Sequence, residues 1–230
     1  MRLVHLFALL VLLLGTAGFT LLTAQDGGSG GSGEVTPLDL PSGGSSDSDE
    51  DEDAPESISF YGGQFEGDGF FWLLDRSCSM GWEGRMGQLK EEMVQALTSL
   101  SKNSHFGVVA FGSGTTIFSP IPLDGNSGNT GAANAWVQAL QPDGATCMAD
   151  AGVQCIEISN QSDKENKQII ALSDGAPNCP GTAETISAMS GANWQQTPIN
   201  TIYISSDASG ISFMQALAAA NNGTFSQPQQ

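Results

Sequence analysis

Residues 70–80 read FFWLLDRSCSM. Five bulky apolar residues run unbroken into Asp75, and serines follow at alternate positions, Ser77 and Ser79. A short continuous apolar run marks a strand buried on both faces of a sheet. The carboxylate and the two hydroxyls therefore cluster where that strand leaves the sheet. Their alternate spacing lets both hydroxyls turn toward one point while Cys78 points away.

Outward from this strand the chain alternates between two periods. MGQLKEEMVQALTSL (86–100) places Met86, Leu89, Met93, Leu97 and Leu100 on one helical stripe. HFGVVAFGSGTTIFSP (105–120) reads as two strands around a Gly-Ser-Gly turn, an antiparallel hairpin. AANAWVQAL (132–140) and MADAGVQCIEI (148–158) read as helices, and KQIIALSD (167–174) as a second strand ending in aspartate. A short helix at 182–189, a strand at 198–205, a helix at 211–221 and a last strand at 223–226 follow. This alternation predicts an α/β fold: a doubly wound, mostly parallel central sheet with one antiparallel edge strand and helices on both faces.

Ligands of such a sheet bind at the carboxyl ends of its strands. Asp75 and Asp174 both fall there, and PDGATCMADA (142–151) sets Thr146 just before a helix. Each residue alone also fits a helix cap. The three in order, each at a strand or helix boundary, favour a shared hard cation: Mg²⁺ or Mn²⁺, with Ca²⁺ a further candidate.

LLDRSCSM, GATCMADA and LSDGAPN resemble, in order and context, the three motif loops of the von Willebrand factor A domain. The resemblance extends over residues 58–226 and includes the hairpin and the closing FMQALAAANNGTF. It implies a Rossmann-like fold carrying a metal-ion-dependent adhesion site. In that site Ser77 and Ser79 would ligate the ion directly. Asp75 and Asp174 would supply charge directly or through water, and Thr146 would engage in the ligand-binding state. An Asp or Glu of a protein partner would complete the coordination. The DRS…SM form resembles bacterial exported members. The implied function is an exported, metal-dependent protein-binding domain for adhesion or scaffolding. The alternatives are a surface or matrix protein whose metal only stabilises the fold, or a hydrolase.

Cys78, Cys147 and Cys179 all border these motifs, and four cysteines allow three complete pairings. Because Cys147 and Cys179 each closely follow a motif, a Cys147–Cys179 disulfide is expected. Cys155 is as well explained as a small buried hydrophobe as by a disulfide. Zinc is disfavoured: no CxxC occurs, and the histidines are His5 and His105 alone.

The formal net charge is −18. Ten acids and no bases lie between Gln25 and Glu56, and fifteen acids face six bases from Ser57 onward. That balance excludes nucleic acid and an anionic membrane surface as electrostatic partners. MRLVHLFALLVLLLGTAGFTLLTAQ opens the chain. It reads as an export signal over 1–24 cleaved after Ala24, or as an uncleaved anchor through 3–22. Either places the domain in a secreted, periplasmic or cell-surface setting, where disulfides persist. GGSGGSG and SSDSDEDEDAPES make 25–56 a flexible acidic linker. Its spacing lacks the central Gly and distal Glu of a calcium loop. The folded domain is expected over 57–230. No enzyme is expected: His5 lies in the export segment, His105 begins a strand at the opposite edge from the Asp-terminated ends, and no Gly-x-Ser-x-Gly elbow surrounds Ser77 or Ser79.

Overall fold

The computed structural model describes residues 55–228. The expected export segment and the linker through residue 54 lie outside the described residues. The chain order is β1 (Glu56–Phe60), β2 (Gly63–Gly67), β3 (Gly69–Asp75), α1 (Arg85–Ser99), β4 (His105–Phe111), β5 (Thr115–Ile117), β6 (Leu123–Asp124), α2 (Ser127–Ala139), α3 (Met148–Asn160), β7 (Lys167–Ser173), α4 (Thr182–Ala192), β8 (Ile199–Tyr203), α5 (Ala208–Ala220) and β9 (Phe225–Ser226). A single 3-10 turn, Cys78–Gly81, joins β3 to α1.

The main sheet runs β5-β4-β3-β7-β8-β9. Strands β4, β3, β7, β8 and β9 are parallel. The antiparallel edge comes in two pieces: β5 pairs with the end of β4, and β6 with its start. One continuous strand cannot do both, because Ser119 and Pro120 fall between them and Pro breaks a ladder.

Strand side chains alternate between faces, and this sorts the core into two halves. Phe70, Trp72, Leu74, Phe106, Val108, Ile170 and Leu172 pack with α1 and α2. Phe71, Leu73, Val109, Phe111, Ile169 and Ala171 pack with α3, α4 and α5. Every residue of β3 is buried, as its unbroken apolar run requires.

β1 and β2 form a separate antiparallel hairpin that the sequence reading did not predict. Its turn, Tyr61-Gly62, has φ of 51° and 74°. Positive φ at both central residues matches the twist of a two-residue hairpin. Ile58, Phe60 and Phe65 face inward and join the α1 half of the core. β1 begins at Glu56, one residue before the expected start of the folded domain. The Glu56 carboxylate accepts hydrogen bonds from Ser104 Oγ at 2.7 Å and Ser101 N at 3.1 Å.

No helix among the described residues is long and apolar enough to cross a membrane. At the end of the sheet where β7 starts, the Lys167 ammonium donates to the carbonyls of Ser159 and Ser162, at 3.2 and 3.1 Å. It thereby ties the end of α3 and the turn after it to the start of β7.

Candidate metal centre

Parallel pairing puts the two aspartate-bearing strand ends side by side. Leu74 of β3 pairs with Leu172 of β7, so Asp75 and Ser173 leave the sheet together. Ser173 Oγ donates to Asp75 Oδ2 at 2.6 Å, and Ser77 N donates to Asp75 Oδ1 at 2.7 Å. The 3-10 turn then folds Ser79 back, leaving Ser77 Oγ and Ser79 Oγ 3.1 Å apart. Ser79 Oγ donates to Asp174 Oδ1 at 2.7 Å. Asp75, Ser77, Ser79 and Asp174 thus form one connected polar cluster.

Backbone hydrogen bonds lace the surrounding loops together. Asp143 N donates to Arg76 O at 2.7 Å, and Cys78 N to Gly144 O at 3.0 Å. Cys147 N reaches Gly112 O at 3.0 Å, and Asn178 N reaches Thr146 O at 3.1 Å. Asn178 Oδ1 accepts from Thr146 N at 3.2 Å, so the second and third motif loops hold each other. The Thr146 hydroxyl lies beside Gly175, 3.7 Å from where a Cβ on that glycine would stand. Cys147 and Cys179 are disulfide-bonded across the same two loops, with Cα atoms 4.7 Å apart. The expected pairing is therefore present. Cys78 is free and exposed. Cys155 is free and fully buried, and burial pushes its thiol up to about 12.

Asp75 is inaccessible to solvent, Asp174 nearly so. Desolvation raises the Asp75 pKa to about 6, and neighbouring Asp174 adds to the rise. The hydrogen bonds from Ser173 and Ser77 only partly oppose it. Two carboxylates taken out of water at one point call for a cation. One cation is already supplied by the protein: Arg85 Nη1 contacts Asp174 Oδ2 at 2.7 Å.

The donor set fits a hard divalent ion. Among the described residues no group of three or more His, Cys, Asp or Glu could hold a metal. The remaining donors here are hydroxyls, which suit Mg²⁺ or Mn²⁺ and not zinc. Neighbouring ligands of an octahedral ion with bonds of about 2.1 Å lie about 3 Å apart. The two serine oxygens, at 3.1 Å, already have that separation.

The sequence reading missed Ser173, Arg85, Asn178 and Gly112. Ser173 is visible as the serine before Asp174, but its partner lies 98 residues away. Gly112 follows β4, and a Cβ there would stand 2.3 Å from Asp143 O. Gly112→Ala must therefore push away the loop that carries Thr146. A loss of about 1–3 kcal/mol in denaturant unfolding is expected, as for overpacking elsewhere. Loss below about 0.5 kcal/mol would show that the loop yields freely. His105 lies at the start of β4, at the opposite end of that strand from Phe111, the partner of Asp75. Its Nδ1 is 2.9 Å from Ser162 Oγ, and its Nε2 is 3.3 Å from Asp124 Oδ1. It is thus remote from Ser77 and Ser79.

Residues 71–227 match the family model for the von Willebrand factor type A domain, and the chain belongs to that family. A search of curated proteins finds no match. Among solved structures, a von Willebrand factor type A protein from Catenulispora acidiphila superposes with a TM-score of 0.61 at 20% identity. The match covers 73% of this chain but only 40% of that one. The vWF domain of the type V pili tip protein Mfa5 from Porphyromonas gingivalis gives 0.59 at 12% identity, covering 75% of this chain and 91% of that one. Manganese-loaded TRAP protein from Plasmodium vivax gives 0.55 at 19% identity, covering 70% and 68%. At these identities the likeness establishes the fold.

Proposed function

We propose that the domain is an exported protein-binding module that captures an acidic residue of a partner through a divalent cation. The observation that carries this reading is the Asp75–Ser77–Ser79–Asp174 cluster at the carboxyl end of the sheet, in which Asp75, Ser77 and Asp174 are buried and Ser79 is half-buried. Ser77, Ser79, Asp75 and Asp174 would hold Mg²⁺ or Mn²⁺, with Thr146 engaging alongside a partner carboxylate. The ion would supply positive charge and an exchangeable coordination position. The protein side chains orient it and exclude bulk water. The manganese in the Plasmodium vivax TRAP structure supports a divalent ion in this fold. The pilus tip and minor pilin proteins among the structural neighbours support adhesion at a cell surface. Trp82, 65% exposed and directly after the 3-10 turn, offers such a partner an apolar contact beside the centre. The module acts by binding and not by catalysis, since His105 sits at the far end of β4 from the serines.

The net negative charge of the domain repels acidic partners at long range, so capture depends on local reversal of the field by the ion. The test is affinity capture of surface or secreted proteins by the domain. Binding is expected to vanish in EDTA and return with Mg²⁺ or Mn²⁺. Thr146→Ala is expected to weaken partner binding more than metal binding. A partner held equally well in EDTA would leave the fold correct and the mechanism wrong.

A further inference from the structure

We propose that Arg85 is a built-in counter-ion that makes cation binding and carboxylate binding at this centre depend on each other. The inference rests on the metal-binding reading above. Both oxygens of Asp174 are engaged: Oδ1 accepts from Ser79 and Oδ2 from the Arg85 guanidinium. The Asp174 side chain is 0% exposed and that of Arg85 14%. The other arm of Arg85 pairs with Glu83, whose side chain is 68% exposed. Glu83 stands mostly in water, so its charge acts on the buried groups through a high dielectric. The charges inside the centre are therefore those of Asp75, Asp174 and Arg85, a net of −1.

The chain is bent to achieve this. Glu83 and Gly84 both take left-handed backbone conformations, with φ of 54° and 74°. A non-glycine residue rarely adopts that region. The bend starts α1 at Arg85, directing its first side chain onto Asp174.

A divalent ion entering this centre changes its charge from −1 to +1. In a desolvated site that excess is costly. A carboxylate arriving with the ion restores neutrality. The ion alone is thus held weakly, and the ion with a carboxylate is held well. By linkage each raises the affinity of the other by the same factor. Without Arg85, two carboxylates would neutralise the ion unaided, and the coupling would fade.

The experiment is a calorimetric titration of the full chain with Mn²⁺, with and without saturating acetate as the carboxylate probe. Wild type is compared with Arg85→Gln and Arg85→Lys. Arg85→Gln is expected to bind Mn²⁺ alone about tenfold more tightly and to gain less from acetate than wild type does. Arg85→Lys retains the charge and is expected to follow wild type. In EDTA, Arg85→Gln is expected to melt below wild type, because buried Asp174 has lost its cation, and Mn²⁺ should restore the difference. If Arg85→Gln alone fails to fold, Asp174→Asn and Asp174→Asn/Arg85→Gln give the same reading. The double variant should then bind Mn²⁺ more tightly than the single one. Arg85→Gln binding Mn²⁺ no more tightly than wild type, or acetate helping both equally, overturns the proposal alone. Absence of Mn²⁺ binding by both wild type and Arg85→Gln overturns it together with the metal-binding reading.

Discussion

Asp75→Ala is expected to lower Mn²⁺ affinity by about 100-fold or more, beyond what loss of a supporting residue around a metal costs. The side chain is fully buried and has no water to share its charge. Its two oxygens are fixed by Ser77 N and Ser173 Oγ, so the carboxylate is positioned before any ion arrives. No other residue can substitute, since Asp174 is already committed to Ser79 and Arg85. The fold should survive. Ser173 Oγ keeps a second partner in Gly175 O at 2.9 Å, and removing a desolvated charge relieves the burial cost that raises the Asp75 pKa to about 6. Asp75→Asn keeps an acceptor for Ser77 N and separates loss of charge from loss of shape. The measurement is calorimetry with Mn²⁺, paired with circular dichroism of the metal-free protein. Native dichroism with unchanged affinity would remove Asp75 from the centre.

Replacing both members of the Cys147–Cys179 bridge by serine is expected to lower stability by about 3 kcal/mol. The bridge closes a loop of sequence separation 32, long enough for a substantial loss of unfolded-state freedom. Its ends lie on the Thr146 loop and the loop after Asp174, so the loss should appear in function too. The Thr146 loop would then be joined to the loop after Asp174 by the two hydrogen bonds between Thr146 and Asn178. Partner capture should weaken more than Mn²⁺ binding, because Asp75, Ser77 and Ser79 lie outside the closed loop and Asp174, inside it, is also held by Ser79 and Arg85. Denaturant midpoints of oxidised wild type, reduced wild type and the double variant check this. A shift under about 1 kcal/mol would mean the loops are already rigid without the bridge. Peptide mapping that recovered four free thiols would remove the bridge itself.

The parallel sheet was readable from the sequence because burial on both faces leaves a local signature: FFWLL before Asp75 and IIAL before Ser173 and Asp174 are unbroken apolar runs. The helical stripe of 86–100 was readable for the same reason, since periodicity over a few turns reflects which face meets the core. The three motif loops follow directly, because a polar residue ending a buried strand must emerge at the sheet edge. The β1–β2 hairpin was not read, although ISFYGGQF alternates in a strand period.

Tertiary structure alone decided the electrostatics of the centre. Arg85 and Asp174 are 89 residues apart, and Ser173 and Asp75 are 98 apart. No local period connects such pairs; they meet only because β3 and β7 are neighbours in register and α1 starts at the bend after Gly84. The sequence determined that two aspartates and two serines would reach one edge of the sheet. Chain packing determined that a guanidinium would arrive there as well, because whether a charge is balanced depends on distance in space and on the water excluded between the groups, and neither is written along the chain.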